Sequence, residues 1–387
     1  MNRNVAIIGI GMTKFGELWG KRYRDLITEA GVDAIKDAGI EGEDIQGLYI
    51  GSMSPGLFAG QEHIGALVAD YSGLSGIPAT RIEAACASGG LALREAYLTI
   101  KSGAMDIVVA GGVEKMTDVT TSSAMIALMG AGDQEWEAFK GVTFPSLYAL
   151  MARRHMAEYG TTVEQISQVA VKSHHNASLN PCAQFPFKVT LEQVMNSSLI
   201  ADPLRLLHCS PITDGAAAVV LASEEVAKRL VDDPIWIIGS SMATDTIALH
   251  DRKSLSRIDS TIIASKKAYK DAKIKPEDID FAEVHDCFSI AEILAIEGLG
   301  FCKPGEGGKI TEDGETELGG RIPINPSGGL KGKGHPVGAT GIAQAVEAVL
   351  QLRGKAGKRQ VKDAEIGLIH NLGGSGATTV INILKRD

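Results

Sequence analysis

The chain is poor in aromatic residues, 5% of its 387, and it has no excess of positive charge: 38 basic residues stand against 47 acidic ones, a net of −9. The first shortage argues against base-stacking platforms and the second against a nucleic-acid footprint. No apolar stretch approaches the roughly 20 residues needed to span a bilayer. The run over residues 5–10 is too short for a signal-peptide core and enters a glycine turn. Cysteines are scarce, five in all (Cys86, Cys182, Cys209, Cys287, Cys302), and no two form C-x-x-C, so zinc-ribbon spacing is absent. An odd number of thiols in a long chain fits a reducing compartment. The end Leu384-Lys385-Arg386-Asp387 is no peroxisomal address, so a cytoplasmic protein is expected. The phosphate-loop pattern G-x-x-x-x-G-K-[ST] is missing as well.

What is present is an ordinary globular composition, 44% apolar and 22% charged, with 45 glycines for tight turns. The length is too great for one core and suits two or three packed layers. The chain also contains itself twice. Val5-Ala-Ile-Ile-Gly9 and Ile235-Trp-Ile-Ile-Gly239 are matching buried-strand patterns. Each precedes a helical stretch and then a near copy, Lys36-Asp37-Ala38-Gly-Ile40 against Lys270-Asp271-Ala272-Lys-Ile274. Strands follow to Gly51 and to Asp286, and helices open at Ser88 and Ala339. Gly215-Ala-Ala-Ala-Val-Val-Leu and Gly376-Ala-Thr-Thr-Val-Ile-Asn close the two copies. Between the Gly-Gly turn and the last strand the first copy carries an extra stretch, about 117–209, which reads as an insertion rich in helical patterns. Alternating strands and helices imply parallel sheets covered by helices, with sites at the strand ends and following turns.

Four stretches at such places carry chemistry. Ala84-Ala-Cys86-Ala-Ser-Gly-Gly90 sets a cysteine just before a helix, whose unpaired N–H groups favour a thiolate and an adjacent oxyanion. A buried structural cysteine is the rival reading. Glu283-Val-His285-Asp-Cys287-Phe288 ends an apolar strand, and residues two apart share a strand face, so His285 and Cys287 are expected to line one cavity. In Asn325-Pro-Ser-Gly-Gly-Leu-Lys-Gly-Lys-Gly334-His335-Pro-Val-Gly-Ala-Thr-Gly341, glycines and prolines hold His335 in a loop before a helix. His370-Asn-Leu-Gly373-Gly374-Ser-Gly376 is a strand end feeding a turn whose N–H groups suit an anion. His174 and His175 read as surface residues of a polar helix, and Cys182, Cys209 and Cys302 as inert.

Together the cysteine turn, the Gly334-His335-Pro-Val-Gly-Ala-Thr-Gly341 loop, the late glycine turn and the duplication resemble the thiolase family over essentially the whole chain. The resemblance implies an α/β thiolase fold of five stacked layers, helix–sheet–helix–sheet–helix. Residues 1–116 and 210–231 would form the N-terminal half, 117–209 an inserted loop domain and 232–387 the C-terminal half. It implies coenzyme A thioesters as substrates, with no metal and no redox cofactor. The H-D-C-F stretch resembles the sterol-carrier-protein-type branch and its archaeal relatives, in which the cysteine serves as acid/base. The best-known bacterial members carry N-E-A-F there and a second catalytic cysteine in C-x-G, a position that registers here on His370.

By that resemblance Cys86 is the acyl-carrying nucleophile, His335 its base and Cys287 the α-proton acid/base. His285 and His335 would hold the enolate oxygen. The Cys86 N–H and one near Leu372, in the turn with Gly373 and Gly374, would hold the acyl oxyanion, although the family usually has glycine where Leu372 stands. Ser210 matches a contact to the pantetheine arm, or is a simple turn serine. The implied reaction joins two acetyl-CoA into acetoacetyl-CoA and CoA, reversibly, feeding the mevalonate pathway. One alternative is a degradative 3-ketoacyl-CoA thiolase for longer chains, another a non-catalytic acyl-CoA-binding scaffold. Retention of Cys86, His285, Cys287 and His335 together weighs against the scaffold. A homodimer or homotetramer is implied, with hydroxymethylglutaryl-CoA synthase as a partner through a small zinc-ribbon, OB-fold protein; nucleic acid and membrane are not expected partners.

Overall fold

A computed structural model describes residues 3–387. Nine strands form one hydrogen-bonded sheet: β1 (Val5–Met12), β2 (Gly47–Gly51), β3 (Ala79–Ile82), β4 (Ile107–Glu114), β7 (Gly215–Ser223), β8 (Ile235–Thr244), β9 (Phe281–Glu283), β10 (Ile366–Gly373) and β11 (Thr378–Lys385). A separate two-stranded ribbon pairs β5 (Leu199–Ala201) with β6 (Leu204–Arg205). The nine run in the order β3-β2-β4-β7-β1-β8-β11-β10-β9. Only two residue pairs, Ala6 with Trp236 and Ile7 with Ile235, join β1 to β8. The sheet is therefore two half-sheets hinged at one narrow seam.

The halves repeat each other strand by strand. β2 and β4 are parallel, and β7 and β1 follow antiparallel; β9 and β10 are likewise parallel, and β11 and β8 follow antiparallel. Even β3, parallel to β2, has a trace of a counterpart, because Ile324 forms a parallel bridge to Ala282 of β9.

Two helices fill the space between the half-sheets. The Ser88–Ser102 helix buries Ala92, Leu93, Ala96, Tyr97 and Ile100. The Thr340–Leu352 helix is buried on every side, as a helix enclosed by two sheets must be. They share one apolar cluster with Val5, Ile7, Val108, Val219 and Ile369 from the strands. Polar groups on the enclosed helix are paired, Glu347 taking both oxygens to the Arg359 guanidinium at 2.9–3.0 Å. Outside, the Tyr23–Ala38 helix lies so close to β1 that a Cβ on Gly9 or Gly11 would stand 2.2 Å from a helix carbonyl. The Asp259–Ala272 helix covers β8 in the same way, at Gly239. The result is the five-layer helix–sheet–helix–sheet–helix arrangement.

Residues 117–209 carry, among other elements, the Phe144–Tyr159 and Val163–Ala177 helices. The second opens on a capping box, Thr162 Oγ1 accepting from the Gln165 N–H. Asn176 and Asn180 on this side donate to the carbonyls of Asn325 and Ser327, tying the stretch to the C-terminal half. Among the described residues no helix is long and apolar enough to cross a membrane.

Candidate active site

The turn after β3 is strained where the first cysteine sits. Ala85 has φ +52°, a left-handed conformation that costs a residue with a Cβ roughly 1–2 kcal/mol. Ser88 stabilises it: its hydroxyl accepts from the Ala84 N–H at 3.0 Å and donates to the Ala85 carbonyl at 2.6 Å. Cys86 thus lies two residues ahead of the Ser88–Ser102 helix, buried, at its positive end. Burial pushes the thiol up to about 12, offset in part by the N–H groups of Gly374 and of Cys86 itself.

His335 is held from both sides. Its N–H donates to Thr213 Oγ1 at 3.0 Å, and its Nδ1 lies 2.7 Å from Thr340 Oγ1. With that hydroxyl's one hydrogen on the Pro336 carbonyl, at 3.0 Å, Nδ1 carries the imidazole proton. Nε2 is left with a free lone pair, the form a base needs. Burial, then Lys333, hold the imidazole down at about 3. A thiol raised and an imidazole lowered rest together as a neutral pair. Such a pair favours proton transfer from Cys86 during attack on a substrate rather than before it.

β9 stops at Glu283, so His285 and Cys287 do not share a strand face as the pattern suggested. The segment is placed by cross-links instead. Val284 N–H donates to Asn325 Oδ1 (2.8 Å) and His285 N–H to His370 Nδ1 (3.3 Å). Asp286 accepts from Leu330 N–H (2.7 Å), and the Cys287 carbonyl from Ser210 N–H (2.9 Å). Every residue from 284 to 287 is pinned, two of them by side chains that the long polar loop at 325–330 and β10 supply. Burial raises Asp286 to about 7, helped by the Glu292 charge.

These segments converge. A ring nitrogen of His285, a ring nitrogen of His335 and the Cys86 sulfur all lie within 4.8 Å of one another, and the two imidazoles meet edge-on with centroids 5.0 Å apart. Cys287 is buried beside them, and its thiol is held well above the ordinary range by burial and by the Cys86 charge. Its neighbours are Tyr148, whose hydroxyl donates to the Gly374 carbonyl at 3.0 Å, and Phe288, whose ring is tilted 31° to that of Tyr148 with centroids 4.6 Å apart. The N-termini of both central helices point at this spot. A Cβ on Gly341 would lie 2.1 Å from Gly90 N and 2.2 Å from Asn371 Oδ1, so the approach depends on glycine. Two positive helix ends then face one small buried volume.

The remaining expected residues take several places. Ser210 meets the group through its backbone N–H, which donates to the Cys287 carbonyl at 2.9 Å. Leu372 lies inside β10 with its side chain in the apolar cluster around Cys287, and Gly373 follows it against the Ala84 carbonyl. Gly374, at φ +61°, supplies the N–H that faces Cys86. His370 is buried, its Nε2 bonded to Thr261 Oγ1 at 3.0 Å, so it braces the His285 backbone and does not reach the sulfur cluster by a free nitrogen. His174 is not a surface residue: it is fully buried against Phe185 and Phe187, with Nδ1 donating to the Phe187 carbonyl, while His175 is exposed. Burial holds Cys209 up at about 11 and Cys302 at about 12. Cys86, His285 and His335 are also close enough to share a soft metal ion, which is a matter of which lone pairs remain free.

The sequence reading passed over Thr340, Thr213 and Asn371. Thr340 and Asn371 stand inside motifs already singled out. Their signal was a polar side chain in a run of glycines and apolar residues, where burial requires it to have a partner.

Residues 5–225 match the family model for the thiolase N-terminal domain, and residues 241–386 that for the thiolase C-terminal domain-like family. The chain is 62% identical to the acetyl-CoA acetyltransferase of Methanothermobacter thermautotrophicus, over 99% of this chain and 100% of that one. It is 55% identical to the enzyme of the same name from Methanocaldococcus jannaschii, over 99% of each. With sterol carrier protein 2 of Bos taurus it shares 37%, over 98% of this chain and 72% of that one. Among solved structures, the Ltp2-ChsH2(DUF35) aldolase superposes with a TM-score of 0.87 at 29% identity, covering 99% of this chain and 98% of that chain.

Proposed function

The chain belongs to the thiolase family, and from that premise we propose that it is an acetyl-CoA C-acetyltransferase, condensing two acetyl-CoA to acetoacetyl-CoA and CoA. The observation that carries the reading is the meeting of Cys86, His285 and His335 within 4.8 Å where two helix N-termini converge.

In the first half-reaction Cys86 sulfur attacks the thioester carbonyl while its proton passes to His335 Nε2. CoA leaves with that proton, and the acetyl group stays on sulfur. The carbonyl oxygen turns anionic in the process, and the Cys86 and Gly374 N–H groups, on the side of the helix positive end, are placed to stabilise it. In the second half-reaction another acetyl-CoA sets its carbonyl oxygen between His285 and His335. Cys287 removes an α-proton as its own thiol proton passes to His335 Nε2, whose N–H then faces the enolate oxygen, and the enolate carbon attacks the acetyl-enzyme carbonyl. The Cys86 sulfur leaves and recovers the proton held by His335, so both thiols end protonated and the cycle closes with no net proton change. Run backwards, Cys287 protonates the enolate as a 3-ketoacyl-CoA is cleaved; burial, which keeps this thiol protonated, suits it to that direction.

The finer assignments follow the same reading. The substrates are CoA thioesters and no metal or redox cofactor takes part. The protein works in the cytoplasm as a homodimer or homotetramer. Because condensation is uphill, acetoacetyl-CoA must be consumed at once, which favours coupling to hydroxymethylglutaryl-CoA synthase in the mevalonate pathway through a small bridging protein. The solved relative named for a paired Ltp2 and ChsH2(DUF35) is a precedent for a second component on this fold. Thiolysis of acetoacetyl-CoA, compared with that of a longer 3-ketoacyl-CoA, tests the proposal. Preference for the short substrate is expected, and a clear preference for the longer one would assign a degradative enzyme.

A further inference from the structure

Asn371 joins two residues that the mechanism uses, Cys86 and His285, to the first turn of a central helix, and nothing in its own chemistry reacts. Its Oδ1 lies 3.0 Å from the Gly90 N–H, its Nδ2 lies 3.1 Å from the Cys86 carbonyl, and the same Nδ2 lies 3.3 Å from His285 Nδ1. The three neighbours decide the orientation. A backbone N–H can only donate, so the atom facing Gly90 is the amide oxygen; a carbonyl can only accept, so the atom facing Cys86 is the amide nitrogen. That nitrogen has no lone pair to offer. His285 Nδ1 therefore has to be the acceptor, and the one proton of a neutral imidazole sits on Nε2. The ring is neutral, because burial and the nearby His335 hold it well below its ordinary value. His285 Nε2 is itself fully buried and has no hydrogen-bond partner among the described residues, a donor left open in the space that Cys86 and His335 face.

We infer that Asn371 is a positioning residue that sets the tautomer of His285, so that Nε2–H is the donor presented to the thioester oxygen of the second substrate. The inference rests on the thiolase reading for the identity of that oxygen. The assignment also separates the two histidines by role. His335, protonated on Nδ1 by its bond to Thr340, offers a lone pair and takes a proton. His285, protonated on Nε2 by Asn371, offers a hydrogen and holds charge. It further removes His285 from any metal-binding set, since neither of its nitrogens keeps a free lone pair. Two donors, Cys86 sulfur and His335 Nε2, fall short of the three or four protein ligands that zinc sites use. Close packing and hydrogen bonding are both part of the device: a Cβ at Gly90 would come within 2.7 Å of the Asn371 Oδ1, and the Gly90 N–H holds that atom as the acceptor.

The test is selective nitrogen-15 labelling of the nine histidines, with His285 identified by its loss in His285→Gln. The full-length wild-type enzyme should show His285 neutral with the proton on Nε2. Asn371→Asp, which offers only acceptors, should move the proton to Nδ1. In the same variant, exchange of acetyl-CoA methyl protons with solvent should fall by about 100-fold, the scale of losing one oxyanion donor, while acetylation of Cys86 is lowered far less. A wild-type His285 protonated on Nδ1 would overturn the inference. So would equal losses of acetylation and exchange, which a merely structural amide bracing the Cys86 turn would give. If Asn371→Asp fails to fold, the wild-type spectrum still decides. A protein with the expected tautomer but no thiolase activity would overturn the functional reading and leave the tautomer assignment standing.

Discussion

Replacing Thr340 with valine removes one oxygen and almost no volume. In the structure that oxygen accepts from His335 Nδ1 at 2.7 Å and donates to the Pro336 carbonyl at 3.0 Å. Without it a buried N–H has no partner, at a cost of ~1–3 kcal/mol. The imidazole can escape that cost only by moving its proton to Nε2, where it ceases to be a base for Cys86. Either way the loss falls on acylation. At ~1.4 kcal/mol per tenfold, the rate of acetyl transfer to Cys86 should drop by about 5- to 150-fold. Rapid-quench measurement of radiolabelled acetyl-enzyme gives this rate before carbon–carbon bond formation intervenes. Thr340→Ser restores the hydroxyl and should restore most of the rate, which separates the hydrogen bond from general damage to the helix start. An acylation burst as fast in Thr340→Val as in wild type would refute the tautomer argument and with it the role of His335 as base.

Cys287→Ala should still acquire acetyl on Cys86 but lose condensation and methyl-proton exchange of acetyl-CoA; exchange at the normal rate would remove Cys287 from the α-proton step. Acidification should destabilise the fold. The imidazoles of His174 and His208 are held down at about 4, and those of His335 and His370 at about 3, by burial. Their unfolded value is ~6.5, so the unfolded chain binds the extra protons, and stability present above that pH is lost as it falls toward the folded values. Glu114 and Asp286, each raised to about 7, and Glu283 and Glu292, raised by burial, act in the opposite sense, but they are four against five once His285, also held down by burial, is counted. The thermal midpoint should therefore drop between pH 7 and pH 5, and a rising midpoint would contradict the burial of these histidines as neutral rings.

The fold was legible where short apolar runs and glycines recur in a fixed order. Both first strands, both central helices and both closing strands lie where the duplication puts them, because a strand buried on two faces needs a run of Val, Ile and Ala whatever its partners. The Val163–Ala177 helix was legible too, since Thr162 and Gln165 make its cap locally. His174 on that helix was not. Its polar neighbours suggested solvent, but Phe185 and Phe187, beyond the end of the helix, lie against it, and the helical turn Gly329–Lys333, distant in sequence, packs on the same helix. The strand before His285 stops short of it, at Glu283, for a related reason. What ends it is Asn325, 41 residues on, capturing the Val284 N–H. In the site, the four reactive side chains announced themselves by type and by their turns. Of the residues that orient them, Thr213, Asn371 and His370 gave little signal of it, because their partners lie 122, 285 and 85 positions away.

Cys86 as the covalent acetyl carrier is the claim on which the rest depends. Incubation with labelled acetyl-CoA, acid quench and peptide mapping measures it directly. The account predicts label on the peptide holding Cys86, discharged by added CoA and absent from Cys86→Ala. Label persisting in Cys86→Ala, or found on Cys287 in the wild-type protein, would contradict it.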